Sequence, residues 1–123
     1  MAATDELICP SAALVDGGDG VRFTVKRDDG VALSAFAIRY DRHVHAYLNR
    51  CAHRGVELDW EPRRFFDRER RYLICATHGA LYEPASGVCA GGPCGGGLVK
   101  LSVIEKNNGV YLVRQVSAND ERR

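Results

Sequence analysis

A chain of 123 residues is long enough for one domain with a modest core and too short for two. Seventeen basic and sixteen acidic side chains leave a net charge of +1, so there is no pervasive positive field of the kind that gathers nucleic acid or an anionic membrane, and neither is expected as a partner. Five cysteines are an odd number, which argues against a secreted disulfide framework.

The first residues, Met1-Ala2-Ala3-Thr4-Asp5-Glu6, are acidic and lack the basic start and apolar stretch of a secretory signal. No run of about eighteen apolar residues follows anywhere, so a cytoplasmic protein with no membrane span is expected. Leu7-Ile8-Cys9 is a short apolar run closed by Pro10, with Cys9 read as a small buried hydrophobe. Beyond the loop Asp16-Gly17-Gly18-Asp19-Gly20, alternation places Val21, Phe23 and Val25 on one face of a strand. Asp29-Gly30 is a hairpin-turn dipeptide leading into Val31 to Tyr40, a strand-like stretch expected to bend midway. His43 and His45 share a face of the next strand, which period two explains without a metal.

Two stretches then carry chemistry. Cys51-Ala52-His53 and Cys75-Ala76-Thr77-His78 each offer one thiolate and one imidazole, each follows an apolar strand-like run, and each leads into a glycine, Gly55 or Gly79, that permits a sharp turn. Together they read as two loops holding one metal site. Two cysteines and two histidines suit tetrahedral zinc or iron-sulfur, but zinc fingers group Cys with Cys and His with His. Here each half is mixed, which suits a two-iron cluster whose irons have unlike ligands.

On these residues the chain resembles a Rieske [2Fe-2S] protein of the small ferredoxin type. The first box is C-A-H-R-G at 51 to 55, the second C-A-T-H-G-A-L-Y at 75 to 82, and the glycine- and proline-rich stretch C-A-G-G-P-C-G-G-G-L follows at 89 to 98. The resemblance implies that Cys51 and Cys75 bind one iron and His53 and His78 the other, with one cluster per chain. It further implies that Gly92 and Pro93 belong to a third loop covering the cluster, that Tyr82 can donate to a ligand sulfur, and that Arg54 acts beside a ligand. High-potential relatives add a cysteine to each box and a hydroxyl after the second histidine. The matching positions here are Val56, Thr77 and Ala80, which provide neither.

Between the boxes, Glu57 to Arg71 carries Trp60, Phe65-Phe66 and five arginines. It reads as a solvated hairpin whose aromatics pack beneath the first box; its arginines, Arg63 and Arg64 among them, could also steer an acidic redox partner. Cys89 and Cys94 are close enough in sequence to form a disulfide if their Cα atoms approach within about 7 Å, but a reducing compartment favours the thiols. Leu98 to Ile104 alternates, Asn107-Asn108-Gly109 turns, and Val110 to Val113 returns as a hairpin.

The expected architecture is therefore all-β. From the resemblance, it is an antiparallel sandwich of the Rieske type formed by the two ends of a single domain, 1 to 123, with a cluster-binding subdomain at about 51 to 98 inserted. The implied function is single-electron transfer, as the ferredoxin that carries electrons from a reductase to a terminal oxygenase. No G-x-G-x-x-G fingerprint or Ser/His/Asp motif is visible, so catalysis on an organic substrate is not expected. Three other readings stand beside this one: the small subunit of an assimilatory nitrite reductase, a zinc-stabilised structural module, and a cluster-based redox sensor.

Overall fold

The computed structural model describes residues 4–26, 29–50, 58, 63–75, 79–92 and 96–114. Strands dominate: β1 (Thr4–Pro10), β2 (Val21–Lys26), β3 (Ala32–Tyr40), β4 (His43–Leu48), β5 (Leu73–Ile74), β6 (Leu81–Tyr82), β7 (Cys89–Gly91), β8 (Lys100–Leu101), β9 (Val103–Lys106) and β10 (Gly109–Arg114). A single 3-10 turn, Ser11–Ala13, interrupts them. Among the described residues no helix is long and apolar enough to cross a membrane.

Three antiparallel sheets form: β1-β10-β9, β2-β3-β4-β8 and β5-β6-β7. The second sheet is the middle layer, because side chains of β3 feed two cores at once. Phe36 and Ile38 point into a core shared with Leu58, Phe65, Leu73, Cys75, Ala80, Tyr82 and Leu98. Ala37 faces the other way, toward Cys9, Leu14 and Val110. A strand covered on both faces reads as one continuous apolar run. Ala32–Tyr40 accordingly runs as one unbroken strand of the middle sheet.

The other expectations hold where local chemistry decides. In β2 the side chains at Val21, Phe23 and Val25 are half-buried and those between them exposed. Asn107 and Asn108 both take positive φ, 49° and 63°, and join β9 to β10 with Gly109 opposite Lys106. Leu98 to Ile104, however, is not one strand. Lys100 and Leu101 pair with β4 in the middle sheet, and the chain then crosses at Ser102 so that Val103–Lys106 pairs with β10 in the outer one.

The two ends meet in the outer sheet, where β1 pairs with β10. Arg39 fastens that sheet to the middle one. Its guanidinium donates to both carboxylate oxygens of Glu105 at 3.0 and 2.7 Å, and to the carbonyls of Leu14 and Ser11 at 2.9 and 3.2 Å. Such a two-pronged charged bond is about twice as strong as a neutral one, and the Arg39 guanidinium pulls the Glu105 carboxyl down to about 2 from the usual 4.5. A depressed carboxyl stabilises the fold above its unfolded pKa and loses that contribution as the pH falls toward 2. With the Glu105 side chain one-third exposed, solvent screening leaves at most about 1 kcal/mol. Glu105→Gln is therefore expected to lower the urea midpoint at neutral pH, and the gap to wild type should close at about pH 2.5. A gap independent of pH would disprove the assignment.

Candidate metal centre

The second box is built on the β5–β6 hairpin. Cys75 directly follows β5 and is fully buried. Its amide donates to the Ala80 carbonyl at 2.9 Å, and the Gly79 amide donates back to the Cys75 carbonyl at 2.7 Å, so the loop is closed at its base by main-chain bonds. Gly79 takes φ 77°, a conformation cheap only for glycine, which is the sharp turn anticipated after this box. Ala80 and Tyr82 are also fully buried and share the core with Cys75.

The third loop lies against this hairpin. Gly91 of β7 pairs with Leu81, and Gly92 follows with φ 75°. A Cβ on Gly92 would stand 2.8 Å from the Gly79 carbonyl oxygen and 3.1 Å from the Ala80 Cα. Only a residue without a side chain allows the two backbones to come this close, and a cover over the second box is the role expected of Gly92. Cys51, His53, Arg54, His78 and Pro93 lie outside the described residues, as do Gly55, Val56 and Thr77. Among the described residues no three metal-binding side chains gather.

The first box is flanked by a pair that the sequence did not single out. Asn49 ends β4's run, is only 3% exposed, and accepts the Leu58 amide on its side-chain oxygen at 2.8 Å. Its own amide donates to the Ser34 carbonyl at 2.8 Å. Residues 49 and 58 bracket the first box, so this buried bond joins the two ends of the loop that carries it. The Tyr47 hydroxyl likewise donates to the Pro84 carbonyl at 2.6 Å, holding the turn after β6 against the middle sheet. Burial raises the Tyr47 pKa far above the physiological range, so it stays a donor.

Among the described residues His43 and His45 belong to no group of three metal-binding side chains. His43 is exposed and bonds to the Asp41 carbonyl, while His45 lies 3.2 Å from the Lys100 ammonium. Burial, and then the Lys100 charge, push the His45 pKa down, which keeps the ring neutral. In the insertion, Phe65 is fully buried and stacks on Phe36 with ring centroids 4.0 Å apart. Arg64, Arg68 and Arg70 frame a cleft of about 230 Å³ with Gly17 to Asp19, Phe66 and Asp67. The turn carrying Asp67 and Arg70 precedes β5 and Cys75 follows it, so this basic cleft sits at the end of the strand away from the box.

One expectation is corrected. Cys89 is disulfide-bonded rather than a reduced thiol, whereas Cys9 and Cys75 are in no disulfide. Compartment chemistry had favoured the thiol, and the bond at Cys89 overrides it.

The donor chemistry fits a cluster. A buried soft thiol at Cys75 stands on a hairpin fixed by its own backbone, and Gly92 packs against the Gly79–Ala80 turn of that hairpin. The family model for the Rieske [2Fe-2S] domain matches residues 6–105. Comparison with curated proteins gave no match. Among solved structures, the ferredoxin of carbazole 1,9a-dioxygenase from Nocardioides aromaticivorans superposes with a TM-score of 0.67 at 20% identity, covering 91% of this chain and 98% of that one. A ferredoxin of Sphingomonas yanoikuyae gives 0.67 at 19% identity, covering 91% and 99%. The terminal oxygenase of carbazole 1,9a-dioxygenase from Nocardioides aromaticivorans gives 0.68 at 22% identity, covering 96% of this chain and 31% of that one. At these identities the likeness is one of fold.

Proposed function

This chain belongs to the family of Rieske [2Fe-2S] domains, and from that premise we propose that it is a one-electron carrier, a ferredoxin passing electrons from a reductase to a terminal oxygenase. Cys51 and Cys75 hold one iron of the cluster and His53 and His78 the other. Gly92 and Pro93 cover the site, Tyr82 donates beside a ligand cysteine, and Arg54 places a positive charge next to a ligand. The cluster-binding subdomain runs from about 51 to 98 within a single domain of residues 1 to 123. The observation that carries this reading is Cys75, fully buried on a hairpin closed at its base by main-chain bonds, with Gly92 packed against the Gly79–Ala80 turn of that hairpin.

When bound, the cluster takes up and releases single electrons, and two neutral imidazoles in place of thiolates make its reduction easier than in an all-cysteine site. The chain's own contribution is to fix, bury and tune. A chain with no G-x-G-x-x-G fingerprint and no Ser/His/Asp motif suits a carrier serving an oxidoreductase system in the cytoplasm. A relative of similar fold supports a terminal oxygenase as the acceptor, since oxygenase and ferredoxin form a complex in carbazole 1,9a-dioxygenase.

Visible absorption of the purified protein, followed by EPR after dithionite reduction, tests the proposal. A colourless protein containing zinc would overturn it. The residues around the second box also set an expectation for the reduction potential. Ala80 is fully buried where high-potential relatives place a hydroxyl, so no donor from that position lowers the charge on a cluster sulfide. Voltammetry is expected to place the potential toward the low end of the Rieske range of about −150 to +300 mV. A value near the upper limit would mean that other groups set the poise.

A further inference from the structure

The insertion between the boxes concentrates a charge that the rest of the chain does not share. Residues 63 to 71 carry five arginines against Asp67 and Glu69, a net +3, while the remaining twelve basic and fourteen acidic side chains leave −2 elsewhere. The fold gathers three of those arginines, Arg64, Arg68 and Arg70, around the cleft of about 230 Å³ whose other wall is Gly17 to Asp19. We propose that this cleft is a docking site for an acidic segment of a partner protein, which seats carboxylate side chains among the three guanidinium groups and against the ring of Phe66. On the electron-carrier reading above, that partner is a redox protein. The cleft lies at the end of β5 away from the second box, so it orients the partner and leaves the exchange of the electron to the cluster region.

Backbone bonds shape the cleft on both sides. The Gly17 amide donates to the Arg39 carbonyl and the Gly18 amide to the Val15 carbonyl, each at 2.8 Å, and the Gly20 amide reaches the Arg63 carbonyl at 2.8 Å. Opposite them, the Arg70 amide donates to the Asp67 carbonyl at 3.0 Å and the Asp67 amide to the Tyr72 carbonyl at 2.9 Å. Asp67 is an acid in the lining, but one of its carboxylate oxygens takes the Arg71 amide at 3.0 Å, so its charge serves its own turn. Asp19, the other acid, is exposed, as are the three arginines. Phe66 is half-buried, stacks on Tyr40 with ring centroids 6.1 Å apart, and adds an apolar surface. Guanidinium groups match carboxylates through paired N–H bonds, which suits an acidic side chain. The volume is below the range of about 300–1,000 Å³ usual for small-molecule pockets, and suits one or two inserted side chains.

The backbone supplies a second, independent observation. Arg63 and Arg70 take φ 72° and 60°. That conformation is uncommon for residues other than glycine and asparagine, and holding it costs free energy. Turn formation therefore does not explain an arginine at either position. Arg70 stands in the lining itself, its Cβ 3.6 Å from where a Cβ on Gly17 would lie. Folding alone would favour asparagine or glycine there, and binding favours the guanidinium.

Titration of the holoprotein with a hexaglutamate peptide, followed by amide NMR at about 0.02 M salt, tests the site. Shifts are expected at Gly17, Gly18, Phe66 and Arg70, and they should vanish at about 0.5 M salt. The variant carrying Arg68→Gln and Arg70→Asn should raise the Kd about fivefold or more, while Arg22→Gln with Lys106→Gln, which removes the same charge from β2 and β9, should leave it within about twofold. Arg70→Asn alone should weaken the peptide and yet raise the melting temperature by about 2–4 °C, because asparagine accepts the turn more readily. A lower melting temperature with unchanged binding would make Arg70 a structural residue and overturn the proposal, as would an equal loss in the charge-matched control. Tighter binding of inorganic phosphate, or of phosphatidylglycerol vesicles, than of the peptide would overturn a protein partner. None of these measurements depends on the cluster. A colourless protein would sink the electron-carrier reading and leave the docking site standing, whereas unmoved cleft signals in a coloured protein would sink the docking site alone.

Discussion

Replacing Cys75 by serine is expected to give a folded protein with almost no iron and no visible colour. The two main-chain bonds that shape the hairpin, Cys75 to Ala80 and Gly79 to Cys75, do not involve the side chain, and serine is nearly the same size. What changes is the donor. A thiolate is a soft ligand suited to iron-sulfur clusters, whereas a serine hydroxyl is hard and does not deprotonate near neutrality. Altering a group that merely orients a ligand costs 10–100-fold in metal affinity, so removing a ligand should cost more, and iron content below about a tenth of wild type is expected. Cluster binding also stabilises the fold that holds it, so the melting temperature should fall to that of the wild-type protein stripped of iron, and no further. Cys9→Ser is the control. Cys9 is just as protected, but it packs with Leu14, Ala37 and Val110 on the other side of the middle sheet, so colour should survive. Full iron content in Cys75→Ser would remove Cys75 from the ligand set and with it the electron-carrier proposal.

What could be read in the sequence is what repeats over a few residues. Alternation marked β2, two asparagines and a glycine marked the β9–β10 turn, and a cysteine close to a histidine, twice over, marked the candidate centre. The stretch Val31 to Tyr40 read as a strand, but its facing was not legible, because burial on both faces erases the alternation that distinguishes one face from the other. The split between β8 and β9 was invisible because each half takes its partner from a different sheet, and a strand's pattern does not name its neighbour. Arg39 and Glu105 find each other across 66 positions, where nothing local marks either as special. Cys89 misled for a different reason: compartment chemistry describes the average thiol, and this one is held in a disulfide. In the candidate centre, the sequence offered candidate ligands but not their supports, because a support is defined by the main-chain group it reaches.

Asn49 is the clearest such support, and Asn49→Ala is expected to cost about 2–3 kcal/mol and to shorten the lifetime of the cluster. In sequence it is an ordinary polar residue at the end of a strand. In the fold it is a buried polar side chain, and its oxygen takes the Leu58 amide at 2.8 Å. Truncation to alanine leaves that buried N–H without its acceptor, a loss of about 1–3 kcal/mol, and opens a small void beside it. The bond ties residue 49 to residue 58, across the whole of the first box. Without it the ends of that segment are free to separate, and the entropy of closing the loop must be supplied by the ligands themselves. Urea unfolding of the iron-free proteins would measure the first effect, and the rate of absorbance loss in chelator the second. Asn49→Asp keeps an acceptor in place and should recover part of the cluster lifetime, although burying a carboxylate keeps its stability below wild type. If Asn49→Ala matched wild type in both measurements, the first box would have to be held by contacts other than this bond, and its loop would be preformed independently of the strand that leads into it.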